Sequence, residues 1–279
     1  MTQRLATQER AYLAAFHSFE SNGWARDPLW VQELRRNAMV RFQQLGFPTA
    51  RRGNEEWKYS DVRPIAQALF QLAVSPMHPP LEAIQVEQAG YGEPGWSQLV
   101  FVNGRYASAL SSVTSLPAGV RVVSLAEAMT SSSDLVERHL ARYADYESMA
   151  FTALNTAFIQ EGAFVVLPDG IRVEEPIRLL FLSTSQEQEA VSHPRILVVA
   201  ARDSSATIIE GHVALSTGRY FTNAVTEMVV GAGARGEYYK VQQQSEEAYH
   251  ITTTDVVLGR DSSFTSVNID LGGKLVRNN

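Results

Sequence analysis

Glu210 and His212 stand two apart in the run Thr207-Ile-Ile-Glu-Gly-His-Val213. In a strand, residues i and i+2 share a face, so this carboxylate and imidazole point to one side. The pair suits proton transfer or the offer of two ligands to a metal, and it suits equally a hydrogen-bonded pair in a wall. His250 opens a second such run, His250-Ile-Thr-Thr-Thr-Asp-Val-Val-Leu258, and carries the same readings; whether any of the three holds a metal stays open. His17, His78, His139 and His193 are scattered, and no H-x-x-x-H zinc pair exists. His139 falls on an apolar helical face and reads as packing.

Other motifs fail on context. Gly231-Ala-Gly-Ala-Arg-Gly236 matches G-x-G-x-x-G, but the pattern needs a helix after the glycines to hold a pyrophosphate. Here Glu237-Tyr-Tyr-Lys-Val241 follows, a strand, so the glycines read as a turn between strands. Gly272-Gly-Lys274 lacks the upstream glycine of a P-loop, because position 268 is Asn268. There is no G-x-S-x-G elbow. The chain holds no cysteine. Disulfides and thiolate ligation of zinc or iron–sulfur by this chain alone are therefore excluded.

The 279 residues suffice for one large domain or two ordinary ones, and 45% hydrophobic with 19% charged residues is a globular composition. A net charge of −6 argues against nucleic acid as a partner, since phosphate binding needs a basic stripe. Only Lys58, Lys240 and Lys274 are lysines among the 24 basic residues. The N-terminus has no signal-peptide core, and the run Ile196–Ala201 is far too short to span a bilayer. The expectation is a cytoplasmic protein with no membrane contact.

The elements that would position these residues change character along the chain. Tyr12, Leu13, Phe16 and Phe19 share a helical face. A second helix is predicted with Asp27 as N-cap and Pro28 at its first position, Val31, Leu34, Ala38, Phe42 and Leu45 on one face, and a stop at Gly46. Arg35, Arg36, Arg41, Arg51 and Arg52 read as a solvated face. Glu55-Glu-Trp-Lys-Tyr59 reads as an anchor packing Trp57 and Tyr59 on the helices. Residues 75–95, with Pro76, Pro79, Pro80 and Pro94, read as connections with at most a short strand. Gln98–Val102 reads as a strand before an Asn103-Gly104 hairpin, and Val120–Val123 as a nearby partner. Helical spacing returns through Leu135, Val136, His139, Leu140 and Tyr143, then Phe151, Leu154 and Phe158, and stops at Gly162. From Ala163 short strands follow, and from Ile196 a strand–turn–strand unit recurs roughly every 30 residues, the rhythm of a stacked β-solenoid. The fold class is α+β, with 1–162 mainly helical plus a hairpin and 163–279 a partial β-helix core.

Several of these stretches, in order, resemble the SufB/SufD family of iron–sulfur cluster assembly proteins, on its SufD side. They are Phe47-Pro-Thr49, Glu55 to Asp61, Phe101-Val-Asn-Gly-Arg-Tyr106, Ala153-Leu-Asn-Thr-Ala-Phe158, Tyr220-Phe-Thr-Asn223 with Glu227, Tyr238-Tyr-Lys-Val241, and Leu271 to Asn278. The resemblance implies a helical N-terminal region and a right-handed parallel β-helix. It implies a non-enzymatic scaffold role beside a SufB-like paralogue, through β-helix pairing, and a SufC-like ABC ATPase, through a C-terminal region. The cluster would belong to the complex, with no cofactor bound by this chain alone. SufB-like chains carry Glu-Gly-Cys where this one has Glu210-Gly-His212. Relative to the family the chain stops inside the β-helix, so it is expected to be incomplete at the C-terminus, poorly stable or prone to associate, and unable to recruit the ATPase. Glu210, His212 and His250 are then wall residues near a transfer path. The alternative is a carbohydrate-binding or polysaccharide-acting β-helix protein, which wants an acidic or basic cluster on one wall and an export signal.

Overall fold

The computed structural model describes residues 2–21, 27–49, 55–68, 70–72, 81–89, 91–114, 116–184 and 189–279, with side chains from Tyr12 onward. Arg51, Arg52 and His78, and the prolines at 76, 79 and 80, lie outside the described residues. Among the described residues the α-helices are α1 (Thr2–Ser21), α2 (Leu29–Leu45), α3 (Arg63–Gln67), α4 (Ala83–Gln88), α5 (Leu125–Ser131), α6 (Ser133–His139) and α7 (Ala150–Ala157). The strands are β1 (Gln71–Leu72), β2 (Ser97–Val102), β3 (Arg105–Tyr106), β4 (Arg121–Ser124), β5 (Gly162–Leu167), β6 (Ile177–Ser183), β7 (Ala190–Ser192), β8 (Arg195–Ala200), β9 (Ser205–Ala214), β10 (Phe221–Val230), β11 (Arg235–Gln243), β12 (Tyr249–Leu258), β13 (Ser263–Asp270) and β14 (Leu275–Asn278).

The strands build a solenoid of two facing walls. The first wall runs β4-β5-β8-β10-β12-β14, with β7 and β1 beside β10, and the second runs β3-β2-β6-β9-β11-β13. Successive coils pair parallel and in register: Arg195, Val225 and Thr253 stack on the first wall, and Ser205, Arg235 and Ser263 on the second. At the start of the solenoid the outer strands are antiparallel, β3 on β2 through the Asn103–Gly104 turn and β4 on β5. Such pairing covers edges that would otherwise present unpaired backbone groups.

The repeat rhythm has a local cause. At the corner between the walls, Gly170, Asp203, Gly233 and Asp261 all adopt positive φ. Their turns stack, with Gly170 N–H donating to the Arg202 carbonyl at 2.8 Å, Asp203 to Ala232 at 2.9 Å and Gly233 to Arg260 at 2.9 Å. Gly233 holds φ at +68°, and a Cβ there would lie 2.2 Å from Asp203 Oδ1, so a side chain at this turn would have to push the Asp203 carboxylate aside. That is the role of the G-x-G-x-x-G match, which joins β10 to β11 as a turn.

The interior between the walls changes along the axis. Early coils fill it with Leu99, Phe101, Val165, Leu179, Phe181, Ile196 and Val198. Later coils keep Ile208, Met228 and Tyr238 in it and add a buried polar cluster around Glu210, His212, Lys240 and His250. Outside the first wall, α1, α2 and α7 build an aromatic-rich core with Phe221, Tyr249 and Ile251, and α5 and α6 build another on Phe164 and Leu197.

Several expectations are corrected. Asp27 does not cap α2: Pro28 holds the N-cap position, and the Asp27 carboxylate bonds Arg35 Nη1 at 2.6 Å. Arg35 is not solvated but fully buried, donating through Nε to the Ile159 carbonyl at 2.6 Å. Trp57 packs as expected, whereas Tyr59 is 90% exposed. The helical spacing from Leu135 to Phe158 is two helices, because residues 140–149 form a loop around Glu227. Within residues 75–95 sits α4, held by a Glu82–Gln85 capping box.

Candidate functional site

Alternation along β9 turns Ile209, Gly211 and Val213 outward and Glu210 and His212 into the solenoid. Both are fully buried, and His212 Nε2 meets Glu210 Oε1 at 2.6 Å. The other Glu210 oxygen accepts from Thr226 Oγ1 on the opposite wall at 3.2 Å and from the Tyr238 hydroxyl of the next coil. Lys240 stands in register with Glu210 and Gln242 with His212, and Lys240 Nζ donates to Asn278 Oδ1. The His212 ring stacks on Phe181, with centroids 5.0 Å apart. His250, from the first wall, meets it edge to face at 4.7 Å. His250 Nδ1 bonds Gln244 Oε1 at 3.0 Å, and Gln244 Nε2 donates to Thr222 Oγ1 at 2.9 Å. The structure thus brings Glu210, His212 and His250 together, inside the solenoid rather than on an outer wall.

Burial by itself would raise the Glu210 pKa, but the His212 bond and charge, Lys240 and the Tyr238 bond outweigh it and hold the carboxyl below its ordinary value. Burial, with His212 and Lys240 nearby, pushes His250 far below the usual imidazole range, so it is neutral. Burial pulls Lys240 down, opposed by Glu210 and Asp270. Among the described residues no group of three or more His, Asp or Glu is arranged to hold a metal ion.

A second constellation lies on the outer face of the first wall. Arg195 and Glu227 form a fully buried ion pair at 2.6 Å. Glu227 also accepts from the backbone N–H groups of Ala141 and Tyr143 at 2.8 Å and of Ala144 at 3.0 Å. Arg195 Nη1 reaches Asn155 Oδ1 at 3.0 Å and Thr156 Oγ1 at 3.2 Å. Asn155 donates to the Pro194 and Asn223 carbonyls, and Asn223 donates to the Phe151 carbonyl at 2.9 Å. A third contact joins β14 to the N-terminal part. Arg277 lies over Trp57 at 4.0 Å and donates to the Glu56 carbonyl at 2.8 Å and to Ser60 Oγ at 3.1 Å. Arg195 was not among the residues singled out from the sequence. Its signal was an arginine at the head of an otherwise apolar run, Arg195-Ile-Leu-Val-Val-Ala200.

Together these features define a helix-covered β-solenoid whose buried ion pair and side-chain hydrogen bonds join its parts. Two family models match: the SufBD protein N-terminal region over residues 6–179, and the SufBD core domain of the SUF iron–sulfur cluster assembly system over residues 181–279. The chain belongs to the SufBD family. Among curated relatives, an iron–sulfur cluster assembly SufBD family protein of Synechocystis is 29% identical over 234 residues, covering 81% of this chain and 51% of the relative. The iron–sulfur cluster assembly protein SufD of Escherichia coli is 27% identical over 268 residues, covering 94% and 57%. The iron–sulfur cluster assembly protein SufB of Bacillus subtilis is 26% identical over 149 residues, covering 53% and 32%. The chain spans about half the length of the first two. Among the described residues no helix is long and apolar enough to cross a membrane.

Proposed function

We propose that this chain is a SufD-like, cytoplasmic scaffold subunit of the Suf machinery, pairing with a SufB-like paralogue and working beside a SufC-like ATPase. The observation that carries the reading is the family match over nearly the whole chain, combined with the absence of cysteine. Cluster iron is held chiefly by thiolates, so the nascent cluster, which is the machinery's cargo, takes its ligands from partners. His212 in place of the Cys of SufB-like chains supports the SufD side. In this reading the chain performs no catalysis and holds no cofactor of its own. Glu210, His212 and His250 keep the polar coils of the scaffold in register and do not meet the cargo. The polysaccharide-acting alternative has no counterpart among these matches. The test is tagged co-expression with the SufB-like and SufC-like proteins of the same cell. Stoichiometric co-purification of the paralogue is expected, and its absence at physiological salt, with the chain folded, overturns the reading.

A further inference from the structure

Arg178, on β6, faces outward from the second wall, in register between Gln98 of β2 and Ile209 of β9. Only 4% of it is exposed. Its hydrogen bonds go to neutral acceptors, Nη1 to Gln98 Oε1 at 2.7 Å and Nη2 to the Ala89 carbonyl at 3.4 Å. The other two deeply buried arginines each have a carboxylate, Asp27 for Arg35 and Glu227 for Arg195. Arg178 has none among the described residues, and burial pulls its pKa down with no neighbouring charge to restore it. A buried cation without a counter-charge is costly, which makes this position hard to explain by packing alone. The chain also makes room for it: a Cβ on Gly92 would lie 2.5 Å from Nη1.

The guanidinium lines a small surface groove, deep enough beside Arg178 for little more than one carboxylate oxygen, together with Ala89, Tyr91, Leu180, Ile209 and Val241. On one side α4 walls the groove, with Val86 and Ala89 packed on Leu180 and Leu182. On the other, the outward rows Ile209–Tyr239–Val267 and Gly211–Val241–Ile269 carry an apolar surface toward β13, where Val267 and Ile269 are exposed. A free inorganic anion would balance the charge and leave these walls wet. A purely apolar segment would cover the walls and bury the cation more deeply. Only a ligand with both characters satisfies the groove.

We propose that this face docks an aliphatic segment of a partner protein that carries one Asp or Glu, whose carboxylate pairs with Arg178. The proposal is independent of the Suf reading, since it rests on this groove alone. The test is selection of random phage-displayed peptides on the full chain, followed by calorimetry with the synthetic consensus peptide. The expected consensus holds an acidic residue flanked by Ile, Val or Leu. Replacing that acid by its amide, or Arg178→Met in the protein, should weaken binding by about tenfold or more, the worth of one charge-assisted hydrogen bond. Arg178→Met should melt no lower than the parent, because it removes an uncompensated buried charge. Arg178→Lys should restore part of the affinity. Val241→Glu, on the half-buried rim, is a second variant and should repel the same peptide. A consensus without an acid, binding unchanged in both variants, or full competition by acetate alone overturns the proposal. So does a dimer of this chain that Arg178→Met abolishes, which would assign the groove to a second copy.

Discussion

Glu227 concentrates more interactions than any other side chain at the joint between helices and solenoid. It neutralises Arg195 and accepts three backbone N–H groups from one loop. Removing its charge leaves a buried guanidinium unpaired, a change that typically costs about 3–5 kcal/mol. Glu227→Gln should therefore lose about that much stability in urea denaturation, and a loss below about 1 kcal/mol would show the pair to be dispensable. Glu161 acts in the opposite sense. Burial pushes its pKa from 4.5 up to about 7, with Arg105 opposing, and its Oε2 has no hydrogen-bond partner. The folded state thus binds a proton that the unfolded state has released between those two values. Stability from this group falls as pH rises through that window, by at most about 3 kcal/mol. Glu161→Gln should flatten the decline, gaining stability over the parent at pH 8 and little at pH 4. An equal gain at both values would point to a pH-independent cause.

At the scale of elements, several of the stretches that carried the family resemblance meet one another in space. The Ala153–Phe158 run is α7 and its end, whose Asn155 and Thr156 hold Arg195. The Tyr220–Asn223 run and Glu227 lie on β10 opposite it. The Glu55–Ser60 turn is clasped by Arg277, from the last matching stretch. Trp57 and Arg277 should couple in a double-mutant cycle by about 0.5–2 kcal/mol; additive losses would mean they pack independently. Gly233→Ala should destabilise by about 1–3 kcal/mol, because φ is +68°, a conformation L side chains rarely adopt, and the Asp203 carboxylate must shift aside. The solenoid was legible because stacked positive-φ turns demand Gly or Asp at a fixed step, and that leaves a mark on sequence. The Glu210–His212 pairing was legible from period-two alternation. His250 joining them was not, since contact across facing walls depends on which coil faces which. Asp27 failed as a cap because buried Arg35, about two turns along the same helix, takes its carboxylate. The six-residue α4 was hidden by neighbouring prolines and is too short to show a period.

For the whole molecule, the gradient from apolar early coils to polar later ones separates two jobs. Early coils and the helices that cover the first wall supply much of the hydrophobic core, while later coils also hold Glu210, His212, Lys240, Gln242 and His250 out of water, through the Glu210–His212 bond and bonds to Thr226, Tyr238, Gln244, Gly272 and Asn278. Such an interior fixes coil register through specific partners, which suits a scaffold. None of these groups is a thiolate. The most direct measurement is anaerobic reconstitution with iron and sulfide, followed by visible absorption and Mössbauer spectroscopy, on this chain alone and on the chain assembled with the proposed SufB-like and SufC-like partners. A scaffold without thiolates predicts background signal for the chain alone and a cluster signal in the complex. A stable, stoichiometric cluster on the isolated chain would contradict it.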